Sequence, residues 1–254
     1  MGPIIKENFH CMREGMTICG LYFHLAGMRL PIAIVSHGFM SNYRTTMRYA
    51  EWFAAHGYAA FCFDFNGGGV VCSSDKDTTK MTVFTEEKDL KAVIAYAKSL
   101  PETEETSATL MGCSQGSVVS GLVAADLPEQ VERLILFYPA LCIPDDARAG
   151  KMMLARFDPD NIPETFQCGP MKRGRDYAAS VQDLDLIGET SSYPGEVLIV
   201  HGTADTVVNY HYSEQAQRAY PKATLKLLPD GQHGFSEAHA QVALGYVEQL
   251  IGRR

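Results

Sequence analysis

The sequence predicts an α/β fold: a mostly parallel, doubly wound sheet with helices on both faces. Three observations carry that prediction. Short apolar runs rich in β-branched residues recur along the chain; they are continuous rather than alternating, as strands buried on both faces are; and most are followed by a segment of helical periodicity. Alternation of strand and helix is the pattern of a parallel sheet covered on both sides.

In order, "PIAIVS" (31–36) reads as the first such strand, ending at His37-Gly38, with a helix near 44–56. "YAAFCFDF" (58–65) is the next strand, running into Asp64 to Gly69. Residues 85–99 read as a helix with Leu90, Val93, Ile94 and Ala97 on one face, Glu86 and Glu87 near its positive end and Thr85 as its cap. "SATLMGC" (107–113), a helix over 115–125, and "VERLILFYP" (131–139) follow. Later come "EVLIVHG" (196–202), a helix near 210–219, "ATLKLLPD" (223–230), and a last helix with Ala240, Leu244, Val247 and Ile251 on one face. Between Pro139 and Pro194 the alternation lapses into short apolar groups broken by prolines. A structureless stretch of that length does not suit a compact domain, so 140–190 is expected to be an insertion with short helices of its own. It leaves a strand at its carboxyl end, where open α/β sheets bind ligands, and so reads as a lid. The whole of 1–254 is expected to be a single domain with this lid inside it.

Composition narrows the function. A net charge of −8 and the lack of a Lys/Arg run argue against nucleic-acid or anionic-membrane partners, leaving a small molecule as the expected one. The amino terminus has no secretory pattern, and Lys6 stands where a myristoylation motif needs Ser or Thr. Seven cysteines without paired spacing suggest thiols kept reduced in a cytoplasm. No Cys-x-x-Cys or His-Glu-x-x-His is present, so neither a metal nor any other cofactor is expected.

The chemistry centres on "LMGCSQGSVVSG" (110–121), in which Ser114 stands between Gly112 and Gly116, after a strand and before a helix. That setting exposes a nucleophile on a sharp turn. Cys113, one position earlier, falls at the wrong place in the turn and reads as a small core residue. A serine hydroxyl needs a base, and the base needs an orienting anion. His233, in "DGQHGF", occupies a loop before the last helix from which it could reach the sheet's carboxyl edge; Asp205, in "HGTADTVV", lies just past a strand end. His201 ends its strand and is expected to be packed or bonded locally, while His56, His211 and His239 fall on helices and read as solvated. The order Ser114, Asp205, His233 is that of the α/β-hydrolase fold. Donors for the developing oxyanion are expected from the backbone N–H groups of Gln115 and Phe39, the latter in the "HGFM" loop. The "FNGGGVV" run lacks the endings of a phosphate-binding loop and reads as a loop making room near the site.

Taken together, "SHGF", "DFNGGG", "GCSQGS", "HGTADTVV" and "GQHGF", with an insertion after the sixth strand, resemble the α/β-hydrolase superfamily and, within it, the bacterial cinnamoyl/feruloyl esterases, over nearly the whole chain from residue 15. The resemblance implies an α/β-hydrolase fold and a serine esterase that cleaves hydroxycinnamoyl esters through an acyl-enzyme. It carries the nucleophile to Ser114, the acid to Asp205, the base to His233 and the oxyanion donors to Phe39 and Gln115, and it places Asp146 and Tyr177 among the lid residues that contact substrate. Two departures bear on the pocket: relatives usually have Gly where Ser36 stands, and Gly-His-Gly where this chain has Gly67-Gly68-Gly69. A small-molecule ester is the expected partner, and a homodimer is compatible with this reading. An amide or peptide hydrolase of the same fold is the alternative, and a non-catalytic binding protein the more distant one.

Overall fold

The computed structural model describes residues 2–75, 77–104 and 107–252. Its elements in chain order are β1 (Ile4–Arg13), β2 (Met16–Leu25), β3 (Ile32–Ser36), α1 (Tyr43–Ala55), β4 (Ala59–Phe63), α2 (Val83–Lys98), β5 (Ala108–Cys113), α3 (Gln115–Asp126) and β6 (Val131–Phe137). The insertion then contributes α4 (Ile143–Arg148), β7 (Lys151–Met152), β8 (Ala155–Arg156), β9 (Thr165–Cys168), β10 (Met171–Gly174), α5 (Asp176–Ala179) and α6 (Leu186–Ser191). The chain returns to the sheet through β11 (Glu196–Gly202), α7 (His211–Ala219), β12 (Ala223–Leu228) and α8 (Glu237–Ile251).

Eight strands form one sheet in the order β1-β2-β4-β3-β5-β6-β11-β12. All neighbours from β4 to β12 pair parallel; β1 and β2 form an antiparallel hairpin whose second strand runs antiparallel to β4. This is the α/β-hydrolase fold that the resemblance implied. Alternate residues of each central strand serve opposite faces. Ile32, Ile34, Leu110, Leu134 and Ile199 pack with α2 and α3, whereas Ala33, Val35, Met111, Ile135 and Val200 pack with α1 and α8. Two cores therefore share one sheet.

Two expectations need correction, and one segment gains an assignment. The helix of residues 85–99 starts earlier, at Val83, because Val83 already joins the core. Thr82 is its N-cap, and Thr85 closes a capping box with it: Thr85 N–H donates to Thr82 Oγ1 at 3.1 Å and Thr82 N–H to Thr85 Oγ1 at 2.9 Å. The insertion has its short helices, but also two hairpins, β7–β8 and β9–β10, which pair backbone groups that so broken a segment could not satisfy by helix alone. The first thirty residues, left without assignment in the sequence, form the β1–β2 hairpin around Glu14-Gly15, both at positive φ.

The connection after β3 goes to one face of the sheet and the connection after β5 to the other. A crevice opens at such a reversal, beyond the carboxyl ends of the two strands. Phe39 follows β3 and Ser114 follows β5, so both stand at its mouth.

Candidate active site

Ser114 is the single residue between β5 and α3, held at φ 54° and ψ −120°. A non-glycine residue there is strained, and its surroundings must hold it. They do so by backbone contact. A Cβ on Gly116 would stand 2.5 Å from the carbonyl oxygen of Ser36, and one on Gly112 would overlap the Gly116 carbonyl. Only glycines let α3 pass so close to β3. Ser114 N–H donates to Phe137 O at 2.9 Å, and Ser114 O accepts from Ser117 and Ala140. The side chain is left half-buried, facing the crevice.

Its Oγ lies 2.9 Å from His233 Nε2, and His233 Nδ1 lies 2.7 Å from Asp205 Oδ2. Because Nδ1 faces a carboxylate, it carries the proton; Nε2 is then the free acceptor, and the serine hydroxyl donates to it. Val207 and Val208 donate backbone N–H bonds to Asp205 Oδ1 at 2.8 and 2.9 Å. Burial alone would raise the pKa of Asp205, but the hydrogen bonds from His201 and His233, with that of Val208, outweigh it and hold the carboxyl well below the usual carboxylate range. The three residues singled out in the sequence thus form one hydrogen-bonded chain.

His201 is packed locally, as expected, but its partner is the same carboxylate. Its Nε2 is 3.1 Å from both Asp205 Oδ2 and Val208 O, so it donates there, while Nδ1 accepts from Ser213 Oγ at 2.7 Å. The ring is fully buried and does not reach Ser114. Of the helical histidines, His211 is exposed and bonded to Glu214; His56 and His239 are half-buried on the carbonyls of Trp52 and Pro229. Cys113 is buried, and burial pushes its thiol up to about 12, which suits a core residue rather than a nucleophile.

Ser114 stands between two cavities. One lies under the insertion and is walled by Phe39, Gln115, Ile143, Met152 and Tyr177, with Asp146 as the carboxylate among its lining residues. The other lies on the histidine side and is lined by Ser41, Thr45, Arg48, Tyr138 and His233. Gly38 turns the chain between them; a Cβ there would be 3.0 Å from that of Ser114. Asp146 is half-buried on α4, where burial raises its carboxyl and Cys142 Sγ approaches at 3.5 Å. Tyr177 is buried, and its hydroxyl donates to Gln115 Oε1 at 2.7 Å.

Three residues close to the site carried no assignment to it from the sequence. His37 is buried behind Gly38; its Nε2 accepts from Phe65 N–H at 3.1 Å, so Nδ1 donates to Gly38 O at 2.7 Å, and burial keeps the ring neutral. Glu86 accepts from Gln115 Nε2 at 2.7 Å, and burial pushes its carboxyl up to about 8 against the lowering influence of Gln115 and Arg173. Arg173, on β10, is fully buried. Position in "SHGF" could have pointed to His37, and the spacing of Glu86 with Leu90, Val93 and Ala97 could have put Glu86 on the buried face of its helix; Arg173 has no such signal. Gly67 to Gly69 do not line either cavity; they form the layer behind the Phe39 loop, where Gly68 O accepts from Met40 N–H at 3.0 Å. Among the described residues, no group of three or more His, Cys, Asp or Glu is placed to hold a metal ion, and no helix is long and apolar enough to cross a membrane.

A family model described as serine aminopeptidase, S33, matches residues 30–166. Among solved structures, Est1E from Butyrivibrio proteoclasticus with ferulic acid bound superposes with a TM-score of 0.88 at 26% identity, covering 96% of this chain and 98% of that one. A second structure of Est1E gives 0.84 at 25% identity, with 96% and 97% covered. Alpha/beta hydrolase domain-containing protein 10 from mouse gives 0.76 at 19% identity, with 96% and 98% covered, and so shares the fold. No curated protein matches the chain in sequence. With more than half of its length matched by that family model and nearly all of it superposed on α/β hydrolases, the chain belongs to the serine aminopeptidase S33 family and is itself an α/β hydrolase.

Proposed function

We propose that this enzyme, a carboxylic ester hydrolase, cleaves small-molecule esters through an acyl intermediate on Ser114, and that its acyl groups are hydroxycinnamoyl. The observation that carries the reading is the unbroken chain from Asp205 through His233 to a strained serine that opens on two cavities. His233 takes the hydroxyl proton as Ser114 Oγ attacks the acyl carbon, and Asp205 stabilises the imidazolium that forms. The N–H groups of Phe39 and Gln115 meet the oxyanion. Collapse breaks the ester bond, His233 gives its proton to the leaving alcohol, and a water activated by the same ring then releases the acid.

The proton's route assigns the cavities. The leaving alcohol must face His233, so it occupies the cavity with Ser41, Thr45 and Arg48; the acyl group takes the apolar slot under the insertion, which acts as a lid. A flat aromatic acid suits a slot of this kind, with Asp146 to meet a ring hydroxyl. Tyr177, whose hydroxyl is engaged by Gln115, supplies a wall of the slot. Est1E, which holds ferulic acid, supports the same acyl class here.

The scheme needs no metal or other cofactor. All its groups come from one chain, so a homodimer would carry two independent sites. The seven free thiols support a reducing, cytoplasmic setting. The family's description favours one second reading, an aminopeptidase, for which Asp146 would hold the substrate's ammonium group. Labelling with a fluorophosphonate, mapped by mass spectrometry, and a panel of feruloyl, acetyl and long-chain esters beside aminoacyl anilides test both. The expected result is adduct at Ser114 and fastest turnover of the feruloyl ester. Faster cleavage of the anilides would replace the esterase reading, and a wild type unlabelled at Ser114 would end the serine mechanism.

A further inference from the structure

Phe39 and Gln115, whose N–H groups the proposed mechanism aims at the oxyanion, follow different strands and belong to different elements. Their side chains nevertheless converge on one residue of the insertion, Tyr177, and Arg173 joins it on the Phe39 side. Tyr177 stacks on Phe39, with ring centroids 5.2 Å apart and planes 13° off parallel, while its hydroxyl donates to Gln115 Oε1 at 2.7 Å. The guanidinium of Arg173 lies 4.6 Å from the Phe39 centroid and 5.2 Å from that of Tyr177. Its Nη1 donates to the carbonyls of Gly67 at 2.9 Å and Thr78 at 2.8 Å. Gly68, the next residue, accepts from Met40 N–H, so this strap reaches the backbone one residue past Phe39. From beneath, Glu86 takes the other end of the Gln115 amide. Gly68 leaves the space for that carboxyl, since a Cβ there would stand 2.9 Å from Glu86 Oε1.

A cover over a pocket has no need of a fully buried cation. Arg173 is 0% exposed, and its Nε has no hydrogen-bond partner among the described residues. Holding the guanidinium out of water is costly, and two carbonyls and two aromatic faces offset that cost. Three of those partners bear on the oxyanion side: Phe39 carries one of the proposed donors, Tyr177 holds Gln115, and Gly67 precedes the carbonyl that meets Met40 N–H. Gln115, meanwhile, is gripped at both ends of its amide, which fixes the first turn of α3 against the slot wall.

We infer that Arg173 and Tyr177 are positioning residues for the oxyanion hole: the insertion aims the Phe39 and Gln115 N–H groups, and so sets the rate of the chemical step for every acyl group as well as the choice among them. The inference rests on the reading that Ser114 is the nucleophile and that these two N–H groups meet the oxyanion. Donors accelerate acyl transfer only when already aimed, and a misdirected donor weakens the transition state more than the bound ester. Loss of aim therefore lowers kcat and leaves KM nearly unchanged.

The test compares Tyr177→Phe, Arg173→Lys and Arg173→Met on an aryl acetate, whose acyl group is too short to reach the lid, and on methyl ferulate. A trifluoromethyl ketone, whose carbonyl carbon takes Ser114 Oγ while the hydroxyl proton passes to His233, reads the oxyanion directly. Removing a donor outright costs roughly 10²–10³ in kcat, so a misdirected one in Tyr177→Phe is expected to cost about tenfold on both esters. KM should stay within about twofold, and the ketone's inhibition constant should rise by the factor that kcat falls. Arg173→Met should lose more, with Arg173→Lys between. Tyr177→Phe removes one atom and keeps the stacked ring, so it decides the matter even if Arg173→Met does not fold. Unchanged acetate turnover and ketone inhibition in Tyr177→Phe, with wild-type Ser114 labelled normally, would overturn this inference alone. A wild type that neither labels nor binds the ketone would take down the proposed function with it.

Discussion

The turn that carries Ser114 and the insertion that faces it are built by opposite means. At the turn, backbone meets backbone: Gly112, Gly116 and Ser36 touch through main-chain atoms, and the geometry tolerates no side chain. In the insertion, side chains do the joining, through Arg173 to Gly67 O and Thr78 O and through Tyr177 to Gln115. Main-chain contact of that kind demands glycine at fixed spacing and so writes itself into the sequence. Side-chain contact between segments 62 to 106 positions apart leaves no local pattern. In the proposed mechanism the turn presents the reacting atom, while the insertion walls the acyl slot and aims the donors of the oxyanion.

The largest expected effect breaks the turn's half of the comparison. Ser114→Ala should lower kcat by about 10⁶-fold while thermal unfolding stays near that of the wild type; substantial residual ester cleavage would show that the nucleophile lies elsewhere. Asp205→Asn should cost about 10⁴-fold in kcat, since an amide cannot hold the working tautomer of His233. His201→Ala is the matched variant, and a deeper loss of kcat there than in Asp205→Asn would mean that the wrong imidazole has been read as the base.

Glu86 lies beneath both regions and sharpens the comparison through pH. Its carboxyl rises from 4.5 to about 8 on folding, so between those values the unfolded chain releases a proton that the folded chain keeps. Stability is therefore lost as pH rises from 4.5 to 8, by at most roughly 5 kcal/mol. Glu86→Gln keeps an acceptor for Gln115 and removes the titration, so its advantage over the wild type should grow from pH 5 to pH 8 in urea unfolding. Parallel stabilities across that range would mean that Glu86 is ionised in place.

Two glycines set the regions side by side. Gly116→Ala drives a methyl into the Ser36 backbone and should destabilise by about 3 kcal/mol. Gly169, in the insertion at φ 60°, has no atom nearer than 3.6 Å to its Cβ position, so Gly169→Ala should cost only the left-handed conformation, about 1–2 kcal/mol. Equal losses in chemical denaturation would erase the distinction drawn here. Smallest of all, Asp146→Ala should raise KM for methyl ferulate about tenfold, the loss of one charged hydrogen bond, and spare the aryl acetate. A matching rise for the acetate would place Asp146 outside acyl recognition.

How much of this was legible follows the same physics. The strands of the main sheet from β3 onward, the order Ser114, Asp205, His233, and the place of the insertion could be read because continuous apolar runs and glycine spacing are local signals. The β1–β2 hairpin could not, since only the last residues of β1 alternate between buried and exposed. Glu86 read as a charge at a helix end, because a carboxylate on the buried face is unexpected until Gln115 is seen to meet it. Arg173 lies in "MKRGRDY", among charges that look solvated; its burial comes from carbonyls 95 and 106 positions away. Tyr177 read as a residue that touches substrate; it does line the cavity beside Ser114, but the engagement of its hydroxyl by Gln115 had no sign in the sequence.

Asp205 receives four hydrogen bonds, and only one of them comes from His233. The other three, from Val207, Val208 and His201, tie the carboxylate to its own loop and strand. His233 therefore hangs from a bearing that does not move with it. In the proposed mechanism its Nε2 serves first the serine oxygen and then the oxygen of the departing alcohol. With Nδ1 pinned at 2.7 Å from Asp205, that change of partner is a small swing of the ring about its anchored end.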